Sequence, residues 1–271
     1  MKRQLITTAT VLPVAALGLS ACGQDGEGSG DALTVAATTV PHAEILEYVS
    51  DELAADADLE LDIVTYNDYV QPNVVTSEGE VDANFFQHQP YLDHYNSEND
   101  TELVTVAPVH IEPLGLYSEG AGNLDELSDG SEIAIPNDTT NGGRALQLLA
   151  DSGLIELEEG IDATSATVDT ITSNPHDFTF TELEAAQLPR SLDSVEGAVI
   201  NGNYALEADL NPEDDALASE TVEDNPFANF VVTTPENEDD KQVQKLVELL
   251  QSDEVADFLA EEYDGSVLAA F

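Results

Sequence analysis

The segment that decides the fold lies at residues 133–149 and reads IAIPNDTTNGGRALQLL. Its first residues form a short apolar run that is typical of a buried β-strand, and its last residues carry leucines at helical spacing. Between them lies Asn141, a residue type that caps helices, so we predict a helix whose first turn ends at Arg144. The segment therefore predicts one strand–loop–helix unit of an α/β protein.

The same alternation of strands and helices continues on both sides of this segment. Apolar runs predict strands at residues 33–39, 61–66, 103–109, 132–137, 197–202 and 229–234. Helical patterns lie between them, and the clearest is KQVQKLVELL, whose apolar face comprises Val243, Leu246, Val247 and Leu250. Such alternation implies a mainly parallel sheet with helices on both faces, in which ligands bind outside the carboxyl ends of the strands.

The charge of the chain is extreme, with 6 lysines and arginines against 56 aspartates and glutamates and a net charge of −50. So anionic a surface excludes nucleic acid and anionic lipid as partners, because both require a cationic face. We interpret the acids as an adaptation to concentrated salt, which screens the repulsion between like charges. Against this background the retention of Arg144 calls for a specific explanation.

The first residues predict export and lipid anchoring. Residues 1–21 have the pattern of an export signal, with a charged start and an apolar run that is too short to span a bilayer. The run ends in LSAC, which resembles a bacterial lipobox, so Cys22 is the expected lipidation site. Residues 22–32 predict a flexible tether. The body of the protein is therefore expected outside the cytoplasm and anchored to a membrane by lipid.

Aromatic and amide side chains follow several of the predicted strands. Tyr69 follows one strand, and Asn201 lies at the end of another. The stretch VDANFFQHQPYL brings Phe86, His88 and Tyr91 close together in sequence. Each feature alone is also typical of a protein core, but together they place rings, amides and one guanidinium where a ligand site is expected.

Arg144 is predicted to hold a ligand carboxylate. A guanidinium beside a helix N-terminus suits an anion, since unpaired backbone N–H groups and the positive end of the helix dipole add to its charge. The alternative is a surface ion pair with one of the many acids, which contributes only about 0 to 1 kcal/mol. A ligand carboxylate is therefore the preferred interpretation.

Several longer stretches resemble, in this order, the NlpA-type methionine-binding lipoproteins, which are the substrate receptors of methionine-uptake ABC importers. The stretches are PHAEIL, TYNDYVQPN, VDANFFQHQPYLD, IAIPNDTTNGGRALQLL, ELEAAQLPRSLD, AVINGNYA and LQSDEVADF. The resemblance runs from about Leu33 to about Gly265, and the lipobox at Cys22 fits it. It implies capture of methionine (L or D) or a related amino acid, and delivery to an ABC permease and its ATPase.

The resemblance also implies the architecture. It predicts an α/β, two-lobed periplasmic-binding-protein fold of type II, with two mixed or parallel sheets flanked by helices and a hinge of two crossings. We expect the first lobe at residues 33–107 and 228–271 and the second lobe at residues 108–227. The crossings are then near Pro108 and Phe227. A monomer without catalysis, cofactor or metal is implied.

The resemblance further implies a ligand-binding set of aromatic, amide and basic side chains. The set is Tyr69, Phe86, His88, Tyr91, Asn141, Arg144, Asn201 and Asn229. In it Arg144 holds the ligand carboxylate with Asn141 beside it, and Asn201 and Asn229 contact the backbone end of the ligand. The aromatic side chains surround the thioether, which is polarizable and favours the edges of rings.

Two other classes of function are considered. A zinc receptor is one alternative, because His42, His88, His94 and His110 together with acids offer nitrogen and oxygen ligands. A secreted hydrolase is the other, although the chain contains no GxSxG, HExxH or paired-cysteine motif. Both stay open at this point.

Overall fold

The computed structural model describes residues 32–223 and 225–271. The predicted export signal, the lipidation site Cys22 and nearly all of the predicted tether lie outside these residues. Within the described ranges, no helix combines the length and the apolar character that crossing a bilayer demands.

Strands and helices alternate along the described chain, as the sequence predicts. The strands are β1 (Leu33–Thr38), β2 (Leu61–Tyr66), β3 (Ala83–His88), β4 (Val104–Ile111), β5 (Gly115–Tyr117), β6 (Glu132–Pro136), β7 (Glu156–Leu157), β8 (Ile171–Ser173), β9 (Thr179–Leu183), β10 (Gly197–Ile200), β11 (Ala218–Ser219), β12 (Asn229–Thr233) and β13 (Leu268–Ala269). The α-helices are α1 (Glu44–Tyr48), α2 (Gln71–Ser77), α3 (Gln89–Asn99), α4 (Thr139–Asp151), α5 (Leu188–Ser191), α6 (Gly202–Glu207), α7 (Lys241–Leu250) and α8 (Asp253–Glu262). Turns of π-helix flank α1 and lengthen it into an irregular helix.

The first lobe is built on a six-stranded sheet in the order β13-β4-β12-β3-β1-β2. Strand β1 pairs in parallel with both β2 and β3, whereas β12 runs antiparallel to β3 and β4. Because β12 and β13 come from the C-terminal part of the chain, this lobe contains both ends of the described chain.

The second lobe is built on a five-stranded sheet in the order β11-β5-β10-β6-β9. Strand β6 pairs in parallel with β9 and β10, and β5 runs antiparallel to β10 and β11. Both sheets are therefore mixed, which confirms the two-lobed α/β fold. Strand–helix alternation alone implies sheets with more parallel pairs than these two contain. Parallel neighbours in a sheet require a crossover connection, usually a helix. Strands β5 and β12 each come directly from the other lobe without such a helix, and both run antiparallel to their neighbours.

Two connections join the sheets. The first runs from the end of β4 at Ile111 to the start of β5 at Gly115, and the second from Ser219 to Asn229. Strand β4 continues past Pro108, where the sequence places the first crossing, because it stays paired with β12 and β13 as far as Ile111. The second connection contains Phe227, near which the sequence analysis expects the second crossing.

Each lobe has its own apolar core. The predicted apolar face of α7 is buried, and it consists of Val243, Leu246, Val247 and Leu250. These residues pack in one cluster with residues of β1 and β3, such as Val35 and Phe85. In the second lobe, the leucines of α4 pack in one cluster with β6 and β10. Burial of each such side chain stabilises the fold by about 1.5 to 3 kcal/mol.

The sequence prediction missed β3, which lies between β1 and β12 in the first sheet. All six residues of ANFFQH are buried, so the strand shows no alternation of apolar and polar residues. Two of its polar side chains, Asn84 and Gln87, form hydrogen bonds with Asn73 of α2, and Asn84 also donates to Thr76. Because these partners come from another element, the pattern within the segment could not indicate a strand.

Candidate functional site

A small cavity lies between the two lobes. It is lined by Tyr69, Phe86, Gln87, His88, Tyr91, Glu112, Asn141, Arg144, Asn201, Gly202, Asn203 and Asn229. Every residue that the sequence analysis selected for ligand binding is in this lining, so the structure brings the whole predicted set together. The contacts of these residues with a ligand stay a prediction.

The cavity lies where the carboxyl ends of parallel strands meet, which explains why residues so distant in sequence line it. Strand β3 ends at His88, and Asn201 directly follows β10. Helix α4, which carries Asn141 and Arg144, begins shortly after β6. Each of these strands is buried in a sheet, and the cavity side chains are therefore held by rigid elements.

Arg144 is buried, with 4% of its surface exposed, and its guanidinium already has a carboxylate partner. Its Nε donates to Oε1 of Glu220 at 2.7 Å, and its Nη2 donates to Oε2 at 2.5 Å and to the backbone oxygen of Glu112 at 3.0 Å. The ring of Phe227 lies 4.3 Å from the guanidinium carbon. Among the described residues, Nη1 has no hydrogen-bond partner, so this nitrogen is the one available to a ligand.

The N-terminus of α4 differs from the prediction. The prediction that Asn141 caps this helix is wrong, because the helix begins at Thr139 and Asp138 is the capping residue. One carboxylate oxygen of Asp138 accepts from the backbone N–H of Asn141 at 2.9 Å. This backbone N–H group is therefore bonded to an acid of the same chain. The side chain of Asn141 lines the cavity instead.

A network of amides and one imidazole crosses the cavity floor. Oδ1 of Asn141 accepts from Nδ2 of Asn201 at 2.9 Å and lies 3.2 Å from Nε2 of His88. Nδ1 of His88 accepts from the backbone N–H of Tyr91 at 3.2 Å. Burial, reinforced by the nearby charge of Arg144, lowers the pKa of His88 to about 3, so the ring is neutral. Oδ1 of Asn201 is buried and has no partner among the described residues.

Three aromatic rings form one wall of the cavity. The ring centroids of Tyr69, Phe86 and Tyr91 lie 5.9 Å apart in each pair. The hydroxyl of Tyr91 donates to the backbone oxygen of Tyr69 at 3.0 Å, which holds the ring of Tyr91 in place. The hydroxyl of Tyr69 donates to Oδ1 of Asn203 at 2.5 Å and so joins the wall to the opposite lobe.

Glu112 lies at the crossing between the lobes and is held by two buried histidines. Its Oε1 lies 2.6 Å from Nε2 of His110 and 3.3 Å from Nε2 of His42. Nδ1 of His42 lies 2.6 Å from the hydroxyl of Thr38. Burial raises the pKa of Glu112, while His42 and Arg144 oppose that shift. The Gly202 position is tight here, since an added Cβ would lie 2.6 Å from Cβ of Glu112.

The histidines considered as metal ligands divide into separate environments. His42 and His110 lie with Glu112 in a cluster whose donor atoms are within 4.8 Å of one another. Its shortest spacing, 2.6 Å between His110 and Glu112, is that of a hydrogen bond. His88 belongs to the amide network, and His94 lies near the surface, 3.8 Å from Glu98. The structure therefore does not gather the four histidines into one site.

Sequence reasoning missed several residues that shape the cavity. Glu112, Gln87 and Asn203 line it, and Glu220 holds the arginine. Glu220 and Phe227 belong to the acidic stretch at residues 210–227, and the sequence analysis selects none of its residues for the site. In a chain with 56 acidic residues, no local signal distinguishes two functional carboxylates from the surface. Asn203 had a signal, since it follows Asn201 at the end of a strand.

Comparisons with known proteins identify the family of this chain. The NlpA lipoprotein family profile matches residues 33–271. The D-methionine-binding lipoprotein MetQ of Escherichia coli (strain K12) is 40% identical over 258 residues, which cover 94% of each chain. The methionine-binding lipoprotein MetQ of Bacillus subtilis (strain 168) is 36% identical over 255 residues, 92% of this chain and 93% of the relative. The solved structure of a nutrient-binding protein from Burkholderia cenocepacia bound to methionine superposes with a TM-score of 0.85, at 39% identity over 88% of this chain and 100% of that chain.

Proposed function

Because the chain belongs to the NlpA lipoprotein family, we propose that it captures methionine or a close analogue outside the cytoplasm and delivers it to an ABC permease. The observation that carries the proposal is a cavity between two lobes that combines an aromatic wall, one buried arginine and buried amide oxygens. A free amino acid with an apolar side chain requires this combination of groups. The proposed role is binding without catalysis, and it is supported by relatives that are named methionine-binding lipoproteins.

The aromatic wall receives the methionine side chain. The edges and faces of Tyr69, Phe86 and Tyr91 surround one end of the cavity, and the wall carries no cation. Contacts between a thioether sulfur and an aromatic ring contribute about 0.3 to 1.5 kcal/mol each. The side chain of methionine is therefore favoured over that of a polar amino acid of the same length.

The carboxylate of the ligand is bound by Nη1 of Arg144. The ion pair with Glu220 occupies Nε and Nη2, so the planar guanidinium is held in one orientation with its remaining edge available. In a buried site the arginine charge is worth more than in water, because the local dielectric constant is low. One ligand carboxylate and Glu220 then share one guanidinium.

The ammonium group of the ligand is bound by oxygen atoms. Oδ1 of Asn201 is a buried acceptor without a partner among the described residues, and an ammonium group supplies the missing donor. Glu112 lines the same cavity and adds carboxylate oxygens as further acceptors. Asn229 also lines it, with Oδ1 3.2 Å from Nε2 of His42. The zwitterion is thus recognised at both charged ends.

Ligand binding closes the two lobes. We place the hinge at the connections 112–114 and 220–228, between sheets that end at Ile111 and Ser219. In the closed arrangement, Tyr69 bonds to Asn203, and the hydroxyl of Tyr204 donates to the backbone oxygen of Asn67 at 3.3 Å. A ligand that contacts both lobes binds the closed form better, and closure follows from that difference in affinity. The closed monomer then docks on the permease, which works with its ATPase.

The N-terminal residues supply the anchor. We propose that Cys22 is lipidated and holds the protein at the outer side of a membrane, consistent with relatives that are named lipoproteins. Incorporation of labelled palmitate by the wild-type protein, and its loss in Cys22→Ser, tests this step. Equal labelling of both proteins would contradict it.

Calorimetry tests the binding function directly. The purified protein is unfolded and refolded to remove bound ligand and is then titrated separately with L-methionine, D-methionine, alanine and zinc chloride. We expect saturable heat with at least one methionine isomer and weaker or no binding of alanine. Saturable binding of zinc alone would favour the metal-receptor alternative, and recovery of chemically altered methionine would indicate an enzyme.

A further inference from the structure

A chain of hydrogen bonds links the cap of α4 to the cavity floor. Both carboxylate oxygens of Asp138 accept from Nδ2 of Asn141, at 3.0 and 3.1 Å. Asn141 in turn accepts from Nδ2 of Asn201 at 2.9 Å. Asp138 itself does not line the cavity. The chain therefore starts outside the cavity and ends on a residue that lines it.

The direction of this chain is fixed at its outer end. An ionised carboxylate can only accept hydrogen bonds, so Asn141 must turn its NH₂ group toward Asp138 and its oxygen toward the cavity. That oxygen requires a donor, and Asn201 supplies its own NH₂ group. The amide oxygen of Asn201 is then the atom left without a partner among the described residues.

His88 fixes the same direction from the other side. The backbone N–H of Tyr91 can only donate, which makes Nδ1 of His88 the acceptor and Nε2 the protonated nitrogen. Nε2 then donates to Oδ1 of Asn141. An inverted Asn141 amide would face Asp138 with its oxygen and His88 with its NH₂ group, and both contacts would be lost.

We propose that Asp138 is a positioning residue that makes the cavity present an amide oxygen at Asn201, and so selects ligands with a hydrogen-bond donor on the α-carbon. This inference rests on the proposed binding of methionine. It adds a residue outside the cavity that determines discrimination between an amino acid and its α-keto analogue. The α-keto acid has the same carboxylate and thioether, but its α-position offers only an acceptor.

The test compares two affinities in each of three proteins. Calorimetry gives the Kd of methionine and of 4-methylthio-2-oxobutanoate for the wild type, for Asp138→Ser and for Asp240→Ser. Serine caps helices well, so Asp138→Ser keeps an oxygen for the backbone N–H of Asn141 while its hydroxyl can also donate. Asp240 is the matched control, because it caps α7 by accepting from Gln242 and Val243 and does not line the cavity.

We expect the preference for methionine over the α-keto acid to fall at least threefold in Asp138→Ser and to stay unchanged in Asp240→Ser. A purely structural role would weaken both ligands alike and leave the ratio of their Kd values unchanged, which would overturn the inference. Asp138→Asn is the second variant if Asp138→Ser does not fold, and the same fall in preference is expected because its NH₂ group replaces an accepting oxygen. A wild type that binds neither ligand would instead overturn the proposed function.

Discussion

Arg144 and Glu220 form a two-point ion pair inside the protein, with Nε 2.7 Å from Oε1 and Nη2 2.5 Å from Oε2. The pair joins α4 of the second lobe to the segment that leads back to the first lobe. The positive charge of Arg144 is therefore already neutralised by a carboxylate of the same chain. In the proposed complex, a ligand binds the remaining edge of this guanidinium, at Nη1.

Replacement of Arg144 is expected to weaken methionine binding. Arg144→Ala removes the partner of the ligand carboxylate, and truncation of one side of a buried charge pair costs about 2 to 5 kcal/mol. Calorimetric titration with methionine measures the change. Arg190→Ala is the control, because Arg190 is exposed and does not line the cavity. An unchanged affinity in Arg144→Ala would show that the carboxylate is bound elsewhere.

Replacement of Glu220 is expected to destabilise the fold itself. Glu220→Ala leaves the buried guanidinium without its charge partner, and breaking such a pair costs about 3 to 5 kcal/mol of unfolding free energy. Urea denaturation of the ligand-free protein measures it. Glu223→Ala, at an exposed position of the same segment, should change stability by no more than about 0.5 kcal/mol. Similar small changes in both variants would mean that the pair contributes little.

Replacement of Phe86 is expected to act on side-chain recognition. Phe86→Ala removes one ring of the aromatic wall. It should weaken the binding of methionine by about 1 to 2 kcal/mol more than the binding of alanine, because the alanine side chain is too short to reach the wall. Competition binding gives both affinities. Phe258→Ala is the control, because Phe258 stacks on Tyr48 in the first lobe, away from the cavity. Equal losses of binding affinity for the two amino acids would show that the aromatic wall does not recognise the thioether.

The stability of the protein is expected to fall in mild acid. Burial lowers the pKa of His42 to about 4 and the pKa values of His88 and His110 to about 3. Between those values and the ordinary pKa of 6.5, the unfolded chain binds more protons than the folded chain, so stability is lost as the pH falls through this window. Each histidine contributes up to about 1.4 kcal/mol per pH unit. Glu112 acts in the opposite sense, since burial raises its pKa.

Urea denaturation across this window measures the slope of unfolding free energy against pH. His88→Gln should reduce the slope by up to about 1.4 kcal/mol per pH unit, because one buried histidine no longer titrates. His94→Gln is the surface control, because the His94 side chain is 35% exposed and lies outside the group of buried histidines, and this substitution should leave the slope unchanged. A His88→Gln slope equal to that of the wild type would contradict the buried neutral imidazole.

Added salt is expected to stabilise the fold. With a net charge of −50, the folded chain repels itself, and screening shortens the range of that repulsion to about 3 Å at molar salt. Thermal unfolding in rising concentrations of potassium chloride should therefore give a rising Tm. A Tm that does not change when salt is removed would refute the interpretation of the acidic surface as an adaptation to salt.

The site shows what position in the sequence could reveal. Arg144 and Asn201 were selected because they follow predicted strands of an α/β fold, and both line the cavity. Phe86 and His88 were selected as members of an aromatic cluster and also line it, although the strand that carries them was missed. Side chains at the ends of strands can be found in this way, because the edge of the sheet gathers them.

The partners of those side chains could not be found in the same way. Glu220 is 76 residues from Arg144 in the chain, and nothing in its surroundings separates it from other acids. Asp138 rather than Asn141 caps α4, and a local pattern containing both residues permits either choice. Such pairings depend on which residues are close in the folded chain, and the local sequence around each residue does not contain that information.

By itself the sequence determined the alternation of strands and helices, the apolar face of α7 and the residue types that meet between the lobes, because local periodicity decides which side chains can be buried together. Only the tertiary structure decided that Glu220 neutralises Arg144, that Glu112 lies between two histidines and that Asn201 keeps an unpartnered oxygen. The physical reason is that buried polar groups must find partners in space. In this chain those partners come from segments far apart in sequence.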